Sequence, residues 1–73
     1  MRVKVCLDTM GSITKFVDVT SRIPCKVTLE DGNGFCVSAK SLLGSLATIE
    51  WDNVYCRCEK DISGAIMPWI RII

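Results

Sequence analysis

The chain contains no histidine. That removes the side chain most often used as a general base near neutral pH. A nucleophilic Ser, Thr or Cys therefore has no imidazole to activate it, and zinc sets built on histidine are excluded as well. No stretch approaches the roughly 20 consecutive apolar residues of a membrane-spanning helix. Apolar groups such as Ala65-Ile66-Met67 and Trp69-Ile70 are broken by Pro68 and Arg71. The opening, Met1-Arg2-Val3-Lys4-Val5, lacks the apolar core of a signal peptide, so a cytoplasmic protein is expected. Basic runs are missing too. Nine Lys and Arg are scattered against eight acidic residues, for a net charge of +1. Nucleic acid is thus not an expected partner, because a phosphate footprint needs clustered cations.

What the chain does have is apolar residues and cysteine. Its 73 residues make one domain, residues 1–73, near the lower end of what folds unaided, and a chain that short needs a dense core. An apolar share of 49% is enough to build one. The cysteines are Cys6, Cys25, Cys36, Cys56 and Cys58. Their odd number, without a secretory signal, argues against a disulfide framework. Cys56-Arg57-Cys58 is not a C-x-x-C pair, so no metal site and no cofactor is expected. Cysteines in such strands act as small apolar residues.

Hydrophobic periodicity gives the element order. Val3, Val5 and Leu7 alternate with Arg2, Lys4, Cys6 and Asp8, which predicts a half-buried strand. Ser12 is the expected cap of a first helix bearing Ile13, Phe16, Val17 and Thr20 on its apolar side. That helix must end before Pro24. Cys25-Val27-Leu29 and Phe35-Val37-Ala39 alternate on either side of Asp31-Gly32-Asn33-Gly34, which predicts a hairpin. Ser41 to Ala47 reads as a short second helix. Val54, Cys56 and Cys58 mark a fourth strand after the turn Trp51-Asp52-Asn53. Asp61 or Ser63 can cap a last helix that Pro68 keeps short, kinked or late-starting. The expected fold is α+β: β-α-β-β-α-β-α, an open-faced β-sandwich with a four-stranded antiparallel sheet covered on one face by helices. Val3, Val5, Leu7, Phe16, Val27, Val37, Val54 and Cys56 should be buried on that face. Cys25 and Cys58 should join them there, with Cys6 and Cys36 on the open face.

The run Val37-Ser38-Ala39-Lys40-Ser41-Leu42-Leu43-Gly44-Ser45-Leu46 resembles the strand-to-helix segment of HPr, the histidine-containing phosphocarrier family of the bacterial sugar phosphotransferase system. That family has an apolar-x-apolar-Lys-Ser-apolar-apolar-Gly run here, which Lys40 to Gly44 fit without a gap. The element order and length agree along nearly the whole chain, with a shortened C-terminus. The resemblance implies an HPr-like fold in a bacterial protein. It also implies a phosphoryl-carrying histidine, aided by an arginine, in the loop after the first strand. Here Thr9 falls near the histidine position and Gly11 near the arginine position. Threonine without a base does not make a labile phosphoramidate, and no loop cation steadies a phosphoryl dianion. The chain is therefore expected to be a degenerate member without carrier activity.

The resemblance further implies a candidate regulatory phosphosite at Ser41, the serine that a dedicated kinase modifies in Gram-positive members before they bind a transcriptional regulator. The plain alternative is that Ser41 only caps the second helix. Lys40, Leu42, Leu43 and Leu46 are the candidate partner-binding residues, since a two-turn helix cannot bury three leucines on one face. The expected function is a non-enzymatic regulatory or adaptor protein whose protein partner is a phosphotransferase component or a transcriptional regulator. The alternative is a structural or self-associating module with no phosphotransferase role. A cysteine enzyme using Cys6 or Cys36 is disfavoured because no base serves either thiol.

Overall fold

The computed structural model describes residues 1–71. Strand β1 (Arg2–Val5) leads into helix α1 (Met10–Ser21) and then the hairpin of β2 (Val27–Glu30) and β3 (Cys36–Ser38). Helix α2 (Leu42–Leu46) continues as a 3-10 turn over Ala47–Glu50. Strand β4 (Val54–Cys58) follows, and α3 (Ser63–Ile66) runs into a 3-10 turn over Met67–Trp69. The strands lie in the order β1-β4-β2-β3, with every neighbouring pair antiparallel. The fold is thus α+β: a four-stranded antiparallel open sheet with three helices. Among the described residues, no helix is long and apolar enough to cross a membrane.

Strand alternation assigns the two faces of the sheet. On β4, Val54, Cys56 and Cys58 are buried while Arg57 is exposed. Cys56 lies in register with Val3 on one side and Leu29 on the other. Against this face pack Ile13 and Phe16 of α1 and Ile66 of α3, all fully buried. Trp69 meets Phe16 edge-on, with ring centroids 5.3 Å apart. The other face carries charge. Glu30 accepts from Arg2 at 2.5 Å and lies 4.0 Å from Arg57, and the Arg2 guanidinium sits 4.1 Å from the centre of the Tyr55 ring. Exposed ion pairs of this kind contribute about 0–1 kcal/mol each, so the buried face dominates the stability.

Several expectations need correction. Helix α1 is capped by Thr9, not Ser12: Thr9 is extended, its Oγ1 accepts from the Ser12 N–H at 3.0 Å, and Met10 and Gly11 are already helical. Val3 and Val37 face the core but are only half-buried, because β1 and β3 are the outer strands and one flank of each lacks a neighbouring strand. Phe35 falls out of step with Val37 and Ala39. It belongs to the turn and is 66% exposed, whereas Ala39 is fully buried. The turn itself follows the sequence signal. Gly32 and Gly34 have φ of 85° and 108°, and the Asp31 carboxylate accepts from the N–H groups of Asn33 and Phe35. Pro68 sits in the 3-10 turn after the four-residue α3. Neither Asp61 nor Ser63 caps that helix: the N-cap position is Ile62, which has no side-chain cap bond, and Asp61 instead accepts from the N–H and hydroxyl of Ser63 at the start of the helix.

Residues 69–71 lie along the last part of β1. The Cys6 N–H donates to the Trp69 carbonyl at 2.8 Å, the Arg71 N–H donates to the Lys4 carbonyl at 2.9 Å, and Val5 and Ile70 form an antiparallel bridge. An outer strand paired in this way offers fewer free backbone groups to other chains.

Candidate functional site

Helix α2 is seated by small polar side chains. Thr20, Ser45 and Thr48 are essentially fully buried. The Thr20 hydroxyl lies 2.9 Å from the Ala39 carbonyl and 3.0 Å from that of Phe16, and Ser45 Oγ reaches the same Ala39 oxygen at 3.4 Å. Thr48 donates to the Ser45 carbonyl at 2.7 Å. These contacts stitch α1, the end of β3 and α2 together around one oxygen. Gly44 lets α2 lie close to the sheet, since a Cβ there would sit 3.3 Å from Val37 Cβ and 3.4 Å from Ser41 Oγ.

The seat fixes what α2 presents. Ser41 is the N-cap: it is exposed, extended, and its Oγ accepts from the Gly44 N–H at 3.1 Å. The capping role expected as the plain alternative is thus the one its geometry displays. Leu43 is 84% exposed and Leu42 44%, whereas Leu46 packs against the core. The three leucines divide as the crowding argument requires, with one inward and two outward. Ile49, in the following 3-10 turn, is also exposed, at 47%.

Lys40 departs from its expected role. Its ammonium donates to the Ile23 carbonyl at 2.5 Å, just past the end of α1. It is half-buried and tethers the two segments instead of standing free for a partner. Nothing in the sequence pairs Lys40 with Ile23, because the contact exists only once α1 and α2 are packed. Met10 and Met67 are further exposed apolar side chains that periodicity did not single out, and Phe35, expected on the strand's inner side, is exposed as well. Met10 lies before Ser12, the expected cap, yet it forms the helix's first turn.

The loop after β1 is open but poorly equipped. Cys6, Asp8, Thr9, Gly11, Ser12 and Lys15 line a cleft of about 710 Å³ together with Pro68 to Arg71. The Thr9 hydroxyl is occupied as the helix cap. A Cβ on Gly11 would meet nothing within 4 Å, so a larger residue would fit there. Lys15 and Arg71 bring positive charge, but Arg71 Nη2 is placed against Cys6 Sγ at 3.3 Å and Asp8 adds an opposing charge.

All five cysteines are free. Cys56 and Cys58 are buried and Cys36 is exposed, as expected. Cys6 is half-buried beside Arg71, less open than expected. Burial pushes the Cys56 thiol up to about 12, so it stays protonated and inert. Among the described residues, no group of three or more Cys, Asp or Glu side chains is arranged to hold a metal ion. No protein-family model matches this chain, and no match is found among curated proteins or solved structures.

Proposed function

We propose that the chain is a non-catalytic regulatory or adaptor protein of HPr-like topology, related to the phosphotransferase system, that binds a protein partner through the outer face of α2. The observation that carries this reading is the pair of adjacent exposed leucines, Leu42 and Leu43, on a helix whose backbone is fixed by the buried Thr20–Ala39–Ser45 contacts. Apolar side chains held in this way are the usual anchors of a protein interface. The leucines follow Lys40-Ser41, within the stretch that resembles HPr. The engagement of the Thr9 hydroxyl as the α1 cap and the absence of histidine support a role without phosphoryl transfer. In this reading Ser41 is also the candidate phosphosite: it is exposed, and phosphorylation would replace its neutral cap with a dianion at the same N–H groups.

The test uses the purified chain with the first enzyme of a bacterial phosphotransferase chain and phosphoenolpyruvate. Binding by calorimetry, competitive with the authentic carrier, with the mass of the chain unchanged, is the expected result. An acid-labile gain of one phosphoryl group would overturn the non-carrier reading. Failure to bind the first enzyme, the carrier's serine kinase or the regulator would overturn the adaptor reading.

The second reading, a self-associating module, draws on the exposed Phe35 beside the outer strand β3. A dimer in sedimentation equilibrium that Phe35→Ala dissociates would favour it.

A further inference from the structure

We infer that Cys25 and Cys58 form a reversible redox pair, a dithiol that a small-molecule disulfide such as glutathione disulfide converts into one intramolecular disulfide. The inference rests on the placement of the two thiols and is independent of the proposed partner surface. Their Sγ atoms lie 3.5 Å apart and share a hydrogen bond, although the residues are 33 positions apart in sequence. Sheet topology brings them together. Strand β2 pairs with β4 so that Val27 faces Cys58. Cys25 stands two residues before Val27, in the bend that leads into β2, which carries its thiol to that of Cys58.

The surroundings suit a pair that closes. A disulfide needs the sulfurs about 2.05 Å apart, so they must approach by about 1.5 Å. Cys58 is held in the central strand β4 and is buried. Cys25 lies outside the regular strands, between the end of α1 and the start of β2, and is only half-buried. The give is therefore available on the side that an oxidant can also reach. The other three thiols are placed differently: Cys6 is beside Arg71, Cys36 is on the outer strand, and Cys56 is enclosed in the core. The hydrogen bond to Cys58, with some burial, raises Cys25 above the ordinary thiol range. A raised thiol is less often ionised, which slows its attack on a disulfide.

The chemistry balances as thiol–disulfide exchange. The Cys25 thiolate attacks one sulfur of the oxidant, a mixed disulfide forms at Cys25, and one small thiolate leaves. Cys58, having lost its proton, attacks Cys25 Sγ and expels the second small thiolate. The two protons pass to the released thiolates. Two protein thiols are oxidised by two electrons, and one disulfide is reduced to two thiols.

The experiment incubates the folded full chain with glutathione disulfide, blocks remaining thiols under denaturing conditions, and maps tryptic peptides without reduction. Cleavage after Lys and Arg leaves each cysteine in its own peptide, Cys25 in 23–26 and Cys58 in 58–60. The expected result is an intact mass lower by about 2 Da before blocking, reversed by dithiothreitol, then three blocked thiols and these two peptides joined. Cys25→Ser should abolish the change, and Cys25→Ala provides the same control if the serine perturbs folding. Cys6→Ser should leave it intact. Five blocked thiols after oxidation, a bond mapped to any other cysteine, a disulfide between two chains, or a reaction that stops at a glutathione adduct on Cys25 would each overturn the proposal.

Discussion

Replacing the α2 leucines one at a time separates interface from scaffold, and the structure sets the expected sizes. Leu43 is 84% exposed, so folding removes only about a sixth of its surface from water. Complete burial of a leucine is worth about 1.5–3 kcal/mol, which leaves about 0.3–0.5 kcal/mol for Leu43. The alanine variant also gains slightly in helix propensity. Leu43→Ala should therefore shift the melting temperature by less than about 4 °C. Leu46 packs against the core but is only partly buried, so its alanine variant should cost about 1–3 kcal/mol, at or below the lower end of the range for fully buried leucine truncations. Binding should show the opposite order. An anchoring leucine lost from an interface costs at least about 1–2 kcal/mol, or roughly 5- to 30-fold in Kd. Calorimetry against the first phosphotransferase enzyme, beside urea unfolding followed by circular dichroism, measures both quantities on each variant. Leu42→Ala, at intermediate exposure, should fall between the two. If all three variants destabilise the fold while the folded fraction binds unchanged, α2 is scaffold and the partner surface lies elsewhere.

Three further outcomes follow from the core and from the turn before α3. Phe16→Ala should cost about 3–5 kcal/mol in urea unfolding, a large share of the roughly 4–11 kcal/mol expected for a domain of this size, because Phe16 is fully buried and carries the edge contact with Trp69. Thr20→Val keeps the shape but removes the hydroxyl that reaches the Phe16 and Ala39 carbonyls, so the same assay should show a loss of about 1–2 kcal/mol. Asp61 is held below the ordinary aspartate value of 3.8 by the Ser63 hydroxyl and N–H. A carboxyl lowered in the folded state adds stability above the unfolded value and loses it as pH falls through the folded one. Asp61→Ala should therefore be less stable than the parent at neutral pH, with the gap closing below about pH 4 in acid titrations of unfolding.

The parts of the fold legible in the sequence are those set by local period and turn chemistry. Strand alternation at Val54-Cys56-Cys58, the helical spacing of Ile13-Phe16-Thr20, and the Asp31–Gly34 turn all carry their signals within a few residues. Features fixed by packing were not legible. Thr9 and Ser12 have equal capping chemistry, and only the extended backbone at Thr9 decides between them. The half-burial of Val3 and Val37 depends on strand order, and β4 lies between β1 and β2 through non-consecutive pairings. The same non-local order brings Cys25 to Cys58 and the Lys40 ammonium to the Ile23 carbonyl. At the candidate site, crowding alone implied that the three leucines would divide. Which one turned inward required the position of α2 over Val37 and Ala39.

That position also bears on how tightly an α2 surface could bind. A five-residue helix is too short to hold its shape alone, and an interface on a fraying segment would lose affinity to the cost of ordering it. Here the ordering is completed by folding. Ser41 caps the first turn, Gly44 allows close approach to the sheet, and Thr20 and Ser45 converge on the Ala39 carbonyl one residue before Lys40. Lys40 then ties the start of this segment back to Ile23. The exposed Leu42 and Leu43 are thus presented from a backbone with hydrogen-bonded attachments on both sides. Loosening that seat, as Thr20→Val would, should weaken partner binding without touching either leucine. Leu43→Ala should weaken it without loosening the seat. Residues at the contact and residues beneath it are thereby distinguished by whether stability and affinity fall together or apart.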